Sequence, residues 1–126
     1  RLEGRVHFTG FRPDAPRLIG ALDINTAPSR GREGLTKTVI EGMAQGIPAV
    51  VSTAGGLPEM IRDGETGYVV PIDDLTALRE RIAALVQDHA ARVRMGRNAR
   101  ADIRRRFDIS ATIRQTADLY HALLDA

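Results

Sequence analysis

The stretch PSRGREGLTKTVIEGMAQGIPAVVSTAGGLPEMIRDGETGYVVP, residues 28–71, decides the fold. Within it, Pro48 to Thr53 is a short, partly β-branched apolar run that stops at Ala54-Gly55-Gly56. Tyr68-Val69-Val70 follows the turn-like Asp63-Gly64-Glu65-Thr66-Gly67 and stops at Pro71. Apolar runs of this length, bounded by glycine and proline, read as buried strands, the second short and near a sheet edge. Between the punctuation marks the period changes: Leu35, Val39, Ile40, Met43 and Ala44 recur at helical spacing over 35–45, and Pro58 suits a first helical residue in Gly56-Leu57-Pro58-Glu59-Met60-Ile61.

Working outward, the pattern continues on both sides. Leu22 to Ala27 reads as a strand ending at Pro28-Ser29, a helix precedes it around Ala15 to Leu22, and Val6 to Thr9 reads as an earlier strand. Downstream, Asp73 or Asp74 caps a helix carrying Leu75, Leu78, Ile82, Leu85 and Val86; another spans roughly Ala90 to Phe107. Ser110 opens a last one with Ile113, Ala117, Tyr120 and Leu124 along one side. Strands alternating with helices predict a parallel, Rossmann-like sheet with flanking helices and a helical C-terminal tail, an α/β domain. Ligands of such sheets bind beyond the carboxyl ends of the strands, here residues 28–34 and 53–56.

Composition narrows the function classes. With 126 residues and 43% hydrophobic content the chain supports one core, residues 1–126 forming a single domain. Cysteine is absent, which excludes disulfides, thiolate metal sites and cysteine nucleophiles. No apolar run approaches the roughly 20 residues of a spanning helix, so the expectation is a soluble, cytoplasmic protein. Formal net charge is +2, but seven arginines lie between Arg92 and Arg106: Arg92, Arg94, Arg97, Arg100, Arg104, Arg105 and Arg106. Such a face is either a solvated helix surface or one that meets phosphates or anionic lipid. Aromatics at 4%, with no nucleic-acid module around the run, argue against nucleic acid as a partner. The chain opens on Arg1 and enters a strand-like stretch at once, as expected of a piece of a longer enzyme.

Two loops carry the chemistry. Pro28-Ser29-Arg30-Gly31-Arg32-Glu33-Gly34 runs into the helix that contains Glu41. The first amides of a helix lack intrahelical partners and sit at the positive end of its dipole, so a start at Gly34-Leu35-Thr36 is an anion site, to which Thr36 and Lys37 add a hydroxyl and a cation. Glu33 and Glu41 suit hydroxyls rather than phosphate, since a carboxylate accepts two hydrogen bonds from a vicinal diol. On local chemistry alone both glutamates also fit as an ordinary N-terminal acid and an exposed helix residue. Gly55 and Gly56 form a second amide-rich turn, which reads equally as a plain glycine turn. His7, on a buried-looking strand, His89 and His121 are scattered, with no triad and no metal-ligand spacing.

The quoted stretch strongly resembles the donor-binding core of the family 4 retaining glycosyltransferases, which have the two-domain GT-B fold. Pro28-Ser29, Glu33-Gly34, Glu41, Met43-Ala44-Gln45-Gly46-Ile47-Pro48 and Gly55-Gly56 with Glu59 occupy the family's pattern. Val6-His7-Phe8-Thr9-Gly10-Phe11 and Arg94-Met95-Gly96-Arg97 through Phe107 resemble its flanks. The resemblance implies the C-terminal half of an enzyme that transfers a hexose from a nucleoside-diphosphate sugar with retention, without a metal or other cofactor. Its catalytic candidate is Glu33, contacting hydroxyls of the transferred sugar. Amides of Gly34, Leu35 and Thr36 hold the diphosphate, Glu41 binds the ribose, Gly55 and Gly56 complete the donor site, and Gly10-Phe11-Arg12 flanks the base. The family's acceptor domain and the strands bearing its basic arginine–lysine pair lie outside this sequence, so the fragment alone is expected to be inactive. Its expected partners are the donor and the missing acceptor domain, with peripheral contact at the inner membrane face. Two departures stand out: Thr36 where many members have glycine, and Gly42 where alanine is commoner, the latter weakening the helix by about 1 kcal/mol. Another GT-B enzyme, such as a nucleotide-sugar epimerase or a glycogen-synthase-like polymerase, shares these features. A non-catalytic α/β module with an anion-binding arginine helix is the alternative from a different class.

Overall fold

The structure, a computed structural model, describes residues 3–124. Its elements are α1 (Ala15–Ile19), β1 (Asn25–Ala27), α2 (Lys37–Ala44), β2 (Ala49–Ser52), α3 (Leu57–Met60), β3 (Gly67–Val70), α4 (Leu75–Gln87), α5 (His89–Arg106) and α6 (Ile109–Leu124). The three strands form a parallel sheet in the order β1-β2-β3, with Thr26 opposite Val50 and Val51 opposite Val69. Every residue of β2 is buried, as expected of a central strand covered on both faces. Alternation along it divides the core. Ala49 and Val51 pack with Val39 and Met43 of α2, Leu57 and Met60 of α3, and Ala99 and Ile103 of α5. Val50 and Val70 pack with Leu85 of α4 and Met95 of α5. The long helix α5 therefore contributes to both clusters.

Local signals explain the boundaries. Asp74, rather than Asp73, caps α4 by accepting from the Ala77 amide at 2.8 Å, and Asp88 caps α5 through the Ala91 amide. The last helix opens on Asp108, not Ser110: the aspartate accepts from the Ser110 amide at 2.9 Å. The expected strand over Val6–Thr9 does not form. This segment has no ladder partner, Phe8 is 97% exposed and His7 is exposed rather than buried. The order β1-β2-β3 reproduces one half of a doubly wound 3-2-1-4-5-6 sheet, in which strand 3 pairs with strand 2 and never with strand 4. A run in the place of strand 3 would need strand 2 of that order as its neighbour, and that strand lies outside the three-stranded sheet described. Gly42 is also better explained: a Cβ there would lie 2.8 Å from Nδ2 of Asn25, which donates to the Thr38 carbonyl, so the glycine leaves space for a buried amide that holds α2 on β1.

Three of the seven clustered arginines are structural. Arg92 donates to the Leu85 and Val86 carbonyls at the end of α4, and Arg106 to the Glu59 and Met60 carbonyls at the end of α3. Arg105, Arg106 and Arg62 converge on Asp102, which is 4% exposed, at 2.8, 2.9 and 3.0 Å. Asp102 Oδ2 receives no directed hydrogen bond and is held by charge alone. Asp102→Ala leaves this group of guanidiniums without its shared carboxylate. Because the arginines are partly solvated, the expected loss is about 1–3 kcal/mol, read as a lower urea midpoint at unchanged slope. An unchanged midpoint would show that the cluster adds nothing to stability.

Candidate functional site

Three loops leave the carboxyl ends of the strands, and backbone contacts tie them into one rim. Ser52 Oγ donates to the Ser29 carbonyl at 2.6 Å, binding the loop after β1 to the end of β2. The Gly56 amide donates to the Glu33 carbonyl at 2.8 Å, binding it to the loop before α3. Arg30 pairs with Asp73, which has a positive φ of 65°, in the loop after β3. That carboxylate stabilises the charged guanidinium, first through their hydrogen bond and then through charge. A cavity of about 280 Å³ opens among these ends, with Pro28, Ser52, Val70 and Leu78 in its wall and the Arg30–Asp73 pair beside it.

The Glu33 carboxylate stands on this rim, exposed and oriented from both sides. Ser29 Oγ donates to Oε1 at 3.0 Å and Thr36 Oγ1 to Oε2 at 3.4 Å. Thr36 is the N-cap of α2, with extended backbone at φ −76° and ψ 112°, so the helix starts at Lys37 and not at Gly34 as the sequence suggests. The amides of Val39 and Ile40 both bond to the Thr36 carbonyl, whereas those of Lys37 and Thr38 have no carbonyl partner in the described structure. The positive end of the helix dipole therefore lies three residues later than expected, next to the Thr36 hydroxyl that faces Glu33.

Glu41 lies one turn further into α2, half-buried, with Lys37 Nζ 3.6 Å from its Oε1. The partner its apolar setting demands is thus this exposed lysine, and an i,i+4 pair of this kind is worth only about 0.2–0.5 kcal/mol. Gly34, Leu35 and Thr36 lie where the two glycine-rich turns meet. A Cβ on Gly55 would come within 1.9 Å of the Glu33 carbonyl oxygen, and one on Gly56 within 3.3 Å of that of Gly34. The Gly56 amide is spent inside the protein, so this turn shapes the site by close approach. On the other side of α2, Phe11, Arg12, Leu18, Ile19 and Thr38 line an open hollow of about 500 Å³. Phe11 is 94% exposed there, and Arg12 grips Asp14 with two hydrogen bonds of 2.8 Å that hold the Asp14 carboxyl below its usual range. His89 and His121 lie on α5 and α6, away from these loops in sequence and element.

Sequence reasoning gave no role at the site to Ser29, Ser52, Arg30 or Asp73, although Pro28-Ser29 stands in the family pattern and Asp73 among the cap candidates. Only Ser29 left a signal, standing four residues before Glu33.

A parallel sheet between helices, with a carboxylate, a hydroxyl and free helix-start amides gathered at its carboxyl ends, makes a Rossmann-like α/β domain. The chain matches the family described as "Glycosyl transferases group 1" over residues 1–88, and it belongs to that family. It is 37% identical over 123 residues to the lipopolysaccharide core biosynthesis mannosyltransferase LpcC of Rhizobium leguminosarum bv. viciae, covering 98% of this chain and 35% of that protein. It is 33% identical over 121 residues to the D-inositol 3-phosphate glycosyltransferase of Corynebacterium efficiens, covering 94% of this chain and 28% of the relative. Among solved structures, Anabaena Alr3699/HepE in complex with UDP superposes with a TM-score of 0.91 at 30% identity, over 96% of this chain and 33% of the other. The same Anabaena protein in complex with UDP-glucose gives 0.89. The chain spans about a third of the length of the curated relatives it matches.

Proposed function

We propose that this chain is the donor-binding part of a retaining hexosyltransferase that uses a nucleoside-diphosphate sugar, its acceptor domain lying elsewhere in the enzyme. The observation that supports this most is the Glu33–Thr36–Lys37 arrangement, a carboxylate fixed by two hydroxyls beside unpaired helix-start amides. In this reading the amides at 36–38 and the α2 dipole stabilise the departing diphosphate, Lys37 adds a cation, and Glu33 accepts hydrogen bonds from sugar hydroxyls. Glu41 turns from Lys37 to the ribose diol. Phe11 and the hollow beside Thr38 take the base. Gly34, Leu35, Gly55 and Gly56 set the shape that lets these groups approach.

UDP and UDP-glucose, held by the Anabaena neighbour, are the first donors to test. Isothermal titration of the full enzyme with UDP-, GDP- and ADP-sugars identifies the base. Glu41→Ala is expected to weaken the preferred donor by about 10-fold or more, the value of charge-assisted bonds to a diol, while the helix stays intact. Unchanged affinity would remove Glu41 from the donor site.

A further inference from the structure

We propose that the outer face of α5 is an electrostatic docking surface for anionic phospholipid bilayers. With Arg92, Arg105 and Arg106 committed to carbonyls and to Asp102, Arg94, Arg97, Arg100 and Arg104 remain, all exposed and without an ion pair among the described residues. Val93, Arg97, Arg100 and Arg104 follow at i, i+4, i+7 and i+11, a single stripe about 16 Å long, with Arg94 at its flank. The only acid in α5, Asp102, is buried on the opposite side with Met95 and Ala99. Like charges at these spacings repel one another along a helix. The stripe thus concentrates positive charge, and among the described residues no carboxylate pairs with it, the nearby Glu65 meeting the edge of the face through its carbonyl to Asn98.

The rest of the face indicates what it meets. Its other members are the small apolar Ala90, Val93 and Ala101 and the polar His89 and Asn98, and most of them line, with Arg94 and Arg97, a shallow hollow of about 490 Å³. There is no aromatic platform on which a base would stack and no aromatic anchor of the kind that dominates protein interfaces. An even row of guanidiniums over small residues matches a plane of phosphate headgroups. The apolar side of α5 is committed to the core, so the helix lies against the headgroups and does not insert. This inference does not rest on the donor-site reading.

Flotation of the full enzyme with vesicles tests it. Binding is expected to mixed phosphatidylglycerol–phosphatidylcholine vesicles and not to pure phosphatidylcholine, and to fall as salt rises to about 0.5 M. Each arginine near such a surface is worth roughly fivefold in partitioning, so converting Arg94, Arg97, Arg100 and Arg104 together to glutamine is expected to reduce it by on the order of several hundredfold. Circular dichroism and donor affinity should be retained. A charge-matched control converts Arg5, Arg17, Arg79 and Arg114, all exposed, and is expected to bind like the parent. Equal binding by the quadruple α5 variant, equal loss in the control, or binding to duplex DNA but not to vesicles would each overturn the proposal.

Discussion

Gly55→Ala is expected to abolish measurable donor binding and to destabilise the domain. Gly55 has φ +53°, a region in which a Cβ costs about 1–2 kcal/mol. Its Cβ would also lie 1.9 Å from the Glu33 carbonyl oxygen and 2.8 Å from the Glu33 nitrogen, backbone atoms that cannot rotate away. Overpacking of this kind adds about 1–3 kcal/mol, so the total comes to about 3 kcal/mol or more. The protein relieves the clash by parting the two loops, which breaks the Gly56–Glu33 hydrogen bond and moves the Glu33 carboxylate off its two hydroxyls. Calorimetric titration with donor and thermal unfolding of the same variant measure the two effects. A variant that binds donor normally would mean that this close approach is not needed for the site.

Gly96→Ala is the second large effect, and here two terms oppose each other. Glycine inside a helix is worse than alanine by about 0.5–1 kcal/mol, so propensity alone predicts a more stable protein. The structure predicts the reverse. A Cβ at 96 would meet the Gly46 carbonyl oxygen at 1.9 Å and its carbon at 2.9 Å. Gly46, at φ +85°, ends α2 in the left-handed conformation, so the chain turns there with its backbone against α5. Neither backbone can yield without separating α2 from α5, whose contact builds the core around Met43 and Ala99. Overpacking costs about 1–3 kcal/mol, so after the helical gain is subtracted a net loss of about 1–2 kcal/mol is expected in urea unfolding. A gain in stability would refute the contact.

The order of elements was legible in the sequence because each strand is closed by residues that cannot continue it: Pro28, the Gly55-Gly56 pair and Pro71. Asp74 and Pro58 marked their helices by the same kind of local chemistry. What could not be read depends on partners distant in the chain. Val6 to Thr9 has the composition of a strand, but a strand requires a neighbouring edge, and composition does not say where that edge is. The start of α2 was misplaced by three residues because the path of 34–36 is set by Gly55 and Gly56, some twenty positions downstream. Asp102 looks like an ordinary solvated acid in an arginine-rich helix until Arg62 arrives from another element. At the site, Glu33 and the helix-start amides could be nominated from sequence, whereas the supports from Ser52 and the Arg30–Asp73 pair come from residues 23 and 43 positions apart and gave no local signal.

The sixteen-residue α6 has no buried residue, while Ile113, Tyr120, Leu123 and Leu124 are each more than 60% exposed. A helix of about that length is only marginally stable in water from its own hydrogen bonds. The cooperative unit is therefore expected to close at Phe107, whose ring packs on the core cluster, with the residues beyond it opening at a much lower free energy than the core. In amide hydrogen exchange the chain would divide there: slow protons in β2 and α5, fast ones throughout α6. Any surface that slows the second set would have to supply the folding energy of that helix itself.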